Sequence, residues 1–534
     1  MITAQELLER GAGVDAGGHE LPTQGTVDFD KITADVRGEI LKVLTDANSK
    51  GAARNRKVAQ LIVAALTKVG LLYFHAERQD FDSAMFFDSS AKRLMGIQSD
   101  AFVAWFSGWL GINRADSLFK YAIAEVETVA LSGKQSTAIL PESYWASRPG
   151  AIYMSNGDGS VIKITAQGIN TVDNGTDDVL FAAGRTMKTW KLTEPRDIFE
   201  TCRLFRDSHC TADHGQDLMQ LWVYSLPSNP KSKPPLCFPG GVGSGKTRTA
   251  KGFAEFYGIP FVAQKVEEGK EDDFWPGCDA GGIFTLDNAD TRCRWLADAL
   301  ANAATDGCSQ RRKLYTNSET VTLRARAWLC ITTANATFAA DAGLADRLCV
   351  VRMDRRDGEE TSDELLTAEI LANRDAGLSH VAKALSAALA DTESTPKNLN
   401  RRHPDFAAFA VCIGRALGRE ADAIIALQAA EHDKSAFCLE NDTIGTALLN
   451  YLRVARTFTG TAAELVPKLV ETDGDLADKL SARRLSKRLT ALWPHLQTAL
   501  ATAKRTENRK GFIEFDFKSA DFADFEMANP VKSH

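Results

Sequence analysis

The sequence predicts a multidomain chain of the α/β class. The prediction rests on the length of the chain, on one glycine-rich stretch set between a strand-like and a helix-like run, and on the short apolar runs that follow it. At 534 residues the chain is too long for one ordinary core, since domains run to roughly 150 residues. Apolar residues make up 44% and charged residues 25%, proportions of globular protein that set aside disordered and fibrous classes. The expected fold is a central α/β domain, an N-terminal α+β accessory region, and a C-terminal helical plus winged-helix region.

Residues 1–50 carry Gly and Asp with weak periodicity and are expected to form a loosely ordered arm. Residues 51–140 are expected to form an α+β accessory domain. KVAQLIVAALTKVG reads as an amphipathic helix stopping at Gly70, LLYFHA and AMFFDSSAKRLMGI as strands around a turn, and SDAFVAWFSGWLGI and SLFKYAIAEVETVALSG as helices. Residues 141–192 alternate apolar and polar positions between Asn-Gly and Asp-Gly pairs, which supply the positive φ of tight hairpins, so they read as a β-rich connector. DFDSAMFFD from Asp80 superficially offers paired metal-binding carboxylates, but alternation within a buried strand explains it better and no primase centre is expected.

The central domain is expected over residues 193–360. RDIFETCRLFRDSHC and QDLMQLWVYSLP read as helices leading through the loop SNPKSKPP. Cys202, His209, Cys210 and His214 fall here, but they lack the paired spacing of a zinc site, and zinc is not expected. Gly240 through Thr247 then matches GxxxxGK[ST], preceded by PLCFP and followed by TRTAKGFAEFYG, a helix stopped by Gly258. Strand, glycine loop, helix is the context a phosphate-binding loop needs. Backbone N–H groups from Gly240, Gly241, Val242, Gly243, Ser244 and Gly245 can curl round phosphate oxygens, and the helix start through Arg248 adds a favourable dipole. Lys246 would contact the β- and γ-phosphates of ATP, and Thr247 would hold Mg²⁺.

IPFVAQKV from Ile259 reads as the next strand and GIFTLDNAD as another, ending in Asp287 where a carboxylate reaches the Mg²⁺ shell. Asp290 is expected to cap the helix TRCRWLADALANAA. RARAWLCITTAN supplies a further strand closing on Asn335, and DAGLADRLCVVRMDRR gives a helix, Asp346-Arg347 and a fifth strand. Between Asp287 and Asn335, RRKLYTNSETVTLRARAW reads as a hairpin around residues 316–319.

Residues 361–455 are expected to form a helical domain and residues 456–534 a winged helix. TGTAAELVPKL reads as a capped helix, SARRLSKRLTALWPHL as a basic helix, and ATAKRTENRKGFIEFDF as a basic turn running into a strand, the order of a winged helix-turn-helix. Between Ser481 and Gly511, Arg483, Arg484, Lys487, Arg488, Lys504, Arg505, Arg509 and Lys510 face only Glu507. That local surplus suits DNA phosphates despite a net charge of −7 for the whole chain.

With GGVGSGKT, FTLDNAD, RRKLYTNSETVTL, ITTAN and LADRL in view, the chain resembles the helicase-like AAA+ P-loop ATPases of phages and mobile elements, related to superfamily 3 helicases and primase-helicases. The likeness is strongest from Leu236 to Arg356. It implies a central AAA+ P-loop NTPase domain and a homo-oligomeric ring, usually a hexamer, whose subunits hydrolyse ATP at their interfaces and translocate on single-stranded or forked DNA. It places Asn335 where a sensor residue orients the attacking water and Arg347 where an arginine finger reaches the neighbouring subunit. It also places the hairpin at a central pore, with Arg311, Arg312 and Lys313 as its cations.

Two departures stand out. The hairpin tip is Asn-Ser-Glu where a basic tip is expected, and Asn288 replaces the acidic residue usual in helicases. An amide cannot take a proton as a carboxylate can, but it can hold a water in line, and phosphoryl transfer depends chiefly on positioning and charge stabilisation. Hydrolysis is therefore expected, with Asn288, or failing it Asp290 or Glu268, in that role.

The expected function is an ATP-dependent DNA helicase or translocase in replication of a phage, prophage or plasmid. The alternatives are an ATP-switched loader or regulator that binds DNA without unwinding it, and a signalling or defence ATPase with a protein partner. No apolar run approaches the roughly 18 residues that span a bilayer. The start lacks a basic region followed by an apolar one, so a reducing cytoplasm is expected and the ten cysteines read as free thiols.

Overall fold

The structure, a computed structural model, describes residues 28–48, 50–78, 80–312, 320–355, 361–507 and 513–519. The described residues divide into two compact units, one containing those from 28 to 191 together with 310–312 and 320–322, the other those from 192 to 309 and from 323 to 519.

In the first unit, the part of the expected loose arm that is described is a helix, α1 (Phe29–Thr45). Asp28 caps it by accepting from the Lys31 N–H at 3.0 Å, and Val36 and Ile40, one turn apart, are buried in the core shared with α2 (Gly51–Val69). Apolar residues at helical spacing, Phe29, Ile32, Val36, Ile40 and Val43, outweigh the Gly and Asp content of residues 1–50 that by itself points to a loose arm.

β1 (Gly70–His75) pairs antiparallel with β2 (Ala84–Asp88) and β2 with β3 (Arg93–Gly96). α3 (Asp100–Leu110) and α4 (Ser117–Leu131) precede β4 (Ser136–Ile139), which joins β1 in parallel. Phe86, Phe102 and Phe106 fill the core they share. Asp88 is buried and accepts from the Ser90 N–H and hydroxyl, so its carboxylate shapes a turn. β5 (Trp145–Arg148), β6 (Ala151–Ser155), β7 (Ser160–Thr165) and β8 (Gly168–Asp173) form an antiparallel meander.

The second unit is built on a five-stranded parallel sheet. After single helical turns at Ile198–Thr201 and Arg203–Arg206 and helix α5 (Asp213–Ser225) come β9 (Leu236–Pro239), α6 (Lys246–Tyr257), β10 (Val262–Lys265) and α7 (Glu271–Asp279). β11 (Ile283–Asp287) and α8 (Leu296–Ala303) follow; the chain then runs through the hairpin strands β12 (Cys308–Arg312) and β13 (Thr320–Arg324), most of whose residues group with the first unit, and returns as β14 (Trp328–Thr333), α9 (Ala342–Ala345) and β15 (Cys349–Val350).

The spatial order is β10-β11-β14-β9-β15, with every neighbouring pair parallel. Side chains alternate across it as a pleated strand requires. Cys237, Phe284, Leu286, Leu329 and Ile331 point into one core with α7, α8 and α9, whereas Phe238 and Trp328 meet Phe253 of α6 and Trp222 of α5. The β9-to-β10 connection therefore leaves over one face in one direction, and the β14-to-β15 connection leaves over the other face in the opposite direction. Such a reversal opens a crevice at the carboxyl ends of β14 and β9, where open α/β sheets bind ligands.

α10 (Asp363–Ala390), α11 (Pro404–Ala416), α12 (Glu420–Glu440) and α13 (Thr443–Ala455) follow. The chain ends in β16 (Thr457–Thr461), α14 (Ala462–Thr472), α15 (Ala482–Ala491), α16 (Trp493–Ala499), β17 (Thr502–Glu507) and β18 (Ile513–Lys518), an antiparallel sheet in the order β16-β18-β17 with helices packed on it. Thr461 and Glu464 form a reciprocal capping box at α14, and Leu485, Leu489, Trp493, Phe515 and Phe517 share one core. All ten cysteines are free, and among the described residues no helix is long and apolar enough to cross a membrane.

Candidate functional site

The glycine stretch forms the turn between β9 and α6, at the sheet's crevice. Gly243 and Gly245 adopt φ of +82° and +81°, the left-handed region that glycine enters without penalty. At Gly240 the backbone passes so close to the Met353 carbonyl that a Cβ would lie 2.1 Å from its oxygen, which only glycine permits. Val242 stands exposed at the tip, while Ser244 is buried and donates to the Gly241 carbonyl at 2.9 Å. His209 packs beside Gly245 and Arg355 beside Gly243.

Lys246, the first residue of α6, curls back into its own loop. Its ammonium donates to the Gly240 and Gly241 carbonyls at 2.7 and 2.6 Å and to the Ser244 hydroxyl at 3.2 Å. Burial pulls its pKa down, partly opposed by the carboxylates of Asp290 and Asp287. Thr247 reaches the neighbouring strand, where its hydroxyl donates to Asp287 Oδ1 at 2.7 Å. The Thr332 hydroxyl of β14 donates to the same oxygen at 2.8 Å. The guanidinium of Arg248 turns from the loop to Glu255, Asp363 and Thr367, which leaves its place in the first turn of α6 as what it offers the loop.

Beyond Asp287 the chain turns sharply. Asn288 has φ +52°, is exposed, and is fixed through its N–H, which donates to Thr332 Oγ1 at 3.0 Å. Asp290 does not cap α8, whose N-cap is Trp295 with no side-chain hydrogen bond. Asp290 Oδ1 instead accepts from the Thr333 hydroxyl at 2.8 Å and from the Ala334 and Asn335 N–H groups at 2.6 and 2.9 Å. Burial pushes its pKa up, but those hydrogen bonds and the Lys246 charge outweigh burial and hold it below the ordinary carboxylate value. Asp290 thus ties the loop carrying Asn288 to the loop carrying Asn335. This role depends on strand adjacency and has no signature in local sequence. Glu268 accepts from the Arg294 N–H at 3.1 Å.

Arg347 follows α9. Its guanidinium donates to the Gly343 carbonyl, and burial lowers its pKa, with the nearby Arg402 adding to the effect. Asp346 pairs with Arg402 and with Lys434. The Cys and His side chains set aside as zinc ligands face separate partners: Cys202 the Glu369 carbonyl, His209 the Asp354 carbonyl, and His214 Asp433.

Of the expected DNA-binding cations, Arg483 and Lys487 stand exposed on α15, and Arg484, also exposed, donates to the Lys479 carbonyl. Arg488 is turned inward, paired with Asp442 at 2.6 Å and donating to the Ala340 carbonyl at 2.7 Å, so it does not belong to an outer DNA face. Arg505 lies over the Trp493 ring, 5.1 Å from its centroid. Arg311 is half-buried on β12. The Arg312 side chain, Lys313, the hairpin tip at 316–319, Arg509 and Lys510 lie outside the described residues.

The donor chemistry fits a magnesium nucleotide. Thr247 and Asp287 bring together the hard oxygens that Mg²⁺ prefers, beside an ammonium group and the start of a twelve-residue helix.

No family model and no curated protein matches the chain. Among solved structures, the A-form apo structure of the NrS-1 C-terminal region is similar at 11% identity with a TM-score of 0.37, over 86% of this chain and 98% of that one. A second apo structure of that region gives 12% identity and a TM-score of 0.39, over 85% and 98%.

Proposed function

We propose that the chain is an ATP hydrolase that moves along or unwinds DNA, working as a ring in the replication of a phage, prophage or plasmid. One observation carries the reading: Thr247 and Thr332 converge on one oxygen of Asp287 at the sheet crevice, beside the glycine turn and the Lys246 ammonium.

In this reading Lys246 exchanges its loop carbonyls for β- and γ-phosphate oxygens, while Thr247 and Asp287 hold Mg²⁺. The metal, when bound with ATP, supplies neutralisation of the phosphate charge. The exposed Asn288 amide holds the attacking water, and Asn335, set by Asp290, stands at the next strand end. Arg347 acts on the nucleotide of a neighbouring subunit. The AAA+ and winged-helix assignments are supported by the parallel sheet with its crevice at the glycine turn and by the β16-β18-β17 sheet with the basic α15.

A second reading, an ATP-switched loader or regulator on DNA, draws on the same turn. Asn288 is not a carboxylate, and the nearby Asp290 carboxylate is committed to the β14 loop. ATP turnover with and without single-stranded DNA, followed by strand displacement on a forked substrate, tests both. Stimulation with displacement supports the motor, and stimulation without it supports the loader. Turnover indifferent to DNA favours a protein-sensing ATPase, and no turnover overturns all of them.

A further inference from the structure

The segment from Ala340 to Arg347 connects the Asn335 strand end to the candidate finger, and beyond Ala340 its only regular structure is the four-residue α9. A single helical turn fixes several dihedrals for one hydrogen bond and is unstable alone. Its direction must therefore be set by what grips it.

Side chains from the C-terminal elements grip its carbonyls one after another. Arg488 of α15 donates to the Ala340 carbonyl at 2.7 Å, and His495 Nε2 of α16 donates to the Ala342 carbonyl at 3.2 Å. Lys434 of α12 donates to the Asp346 carbonyl at 2.9 Å, and His403 Nε2 donates to the Arg347 carbonyl at 3.1 Å. A carbonyl only accepts, so both imidazoles carry their proton on Nε2. Arg488 is itself anchored on Asp442, whose other oxygen caps α13 through the Ile444 and Gly445 N–H groups at 3.0 and 2.8 Å. The helix presenting Arg483 and Lys487 to solvent is thus pinned, through its own Arg488, to the segment that ends in Arg347.

We infer that Arg488 and His495 are positioning residues through which the C-terminal helices aim Arg347, and so set the rate of ATP hydrolysis. The inference rests on the proposed ATP hydrolysis with Arg347 acting across a subunit interface. The hydrogen-bond partners of Arg488 and His495 lie outside the glycine turn, so both act on kcat and leave ATP binding alone. Gln at position 495 can supply the same N–H donor to Ala342, whereas Leu cannot.

The test is steady-state ATP turnover, with Mg²⁺, in the full chain carrying Arg488→Met, Arg347→Ala, both together, His495→Gln or His495→Leu. Arg488→Met is expected to lower kcat about 10- to 100-fold, the scale of a small misplacement of a reacting group, with KM for ATP unchanged. The double variant is expected to be no slower than Arg347→Ala alone, because the two act in series. His495→Gln is expected to retain turnover that His495→Leu loses. If Arg488→Met does not fold, the His495 pair decides the matter. Wild-type kcat in Arg488→Met, multiplied losses in the double variant, or equal rates for His495→Gln and folded His495→Leu would each overturn the inference while leaving the ATPase intact. Absence of turnover in the wild type overturns the function and the inference together.

Discussion

The Thr247 hydroxyl lies 2.7 Å from Asp287 Oδ1, joining the first turn of the helix after the glycine loop to the end of a strand forty residues later. Thr332 completes the join from a second strand, donating to the same oxygen and accepting from the Asn288 N–H. Thr332→Val keeps the shape and removes the hydroxyl, leaving that N–H and half of the Asp287 support unmet. The expected result is a loss of about 1–3 kcal/mol in unfolding free energy, measured by denaturant titration, together with slower ATP turnover.

Asn288 combines a positive φ with an exposed amide. Asn288→Ala removes the amide and adds backbone strain, whereas Asn288→Gly removes the amide and relieves it. Both variants are expected to bind ATP nearly as wild type and to turn it over more slowly. Only the Ala variant is expected to lose stability, by about 1 kcal/mol. Unchanged turnover in the Gly variant would remove Asn288 from the chemistry.

His403 is fully buried between Ser232 and the Arg347 carbonyl, and burial lowers its pKa to about 3. The folded value lies below the unfolded one, so the unfolded chain binds the proton first as pH falls. The stability this histidine contributes is complete above its ordinary value of 6.5 and declines as pH drops from there toward about 3. His403→Gln keeps an N–H donor but cannot titrate. Its thermal midpoint is expected to fall less than that of wild type between pH 7 and pH 5.

The cations of α15 divide into outward and inward sets. Replacing Arg483 and Lys487 with Ala is expected to weaken DNA binding across all sequences and to flatten the dependence of log affinity on log salt by about 0.9 for each phosphate that is no longer neutralised. Arg488→Met is expected to leave that slope unchanged, because its guanidinium faces Asp442 and Ala340. Filter retention over a salt series measures both.

The parts that sequence discloses are those governed by local pattern. Glycine spacing marks the β9 turn, apolar runs mark the parallel strands, and Thr461 with Glu464 marks the start of α14. What stays hidden depends on which strands and helices become neighbours. Thr332 is the first of two threonines closing an apolar run until β14 lies beside β11. Asp290 reads as a helix cap until the β14 loop brings its N–H groups to the carboxylate. Arg488 looks like its basic neighbours, because nothing local shows that Asp442 will stand beside it. The α1 helix is legible in the spacing of Phe29, Ile32, Val36, Ile40 and Val43, which pack on one core, but the Gly and Asp residues around it in 1–50 point toward a loose arm.

Calorimetric titration of ATP with Mg²⁺ into the full chain, beside Lys246→Ala, tests most directly whether the glycine turn captures a triphosphate. Saturable heat at one site per chain in the wild type, lost in Lys246→Ala, is the expected result. No heat from folded wild-type protein, or equal heat from the variant, would contradict it.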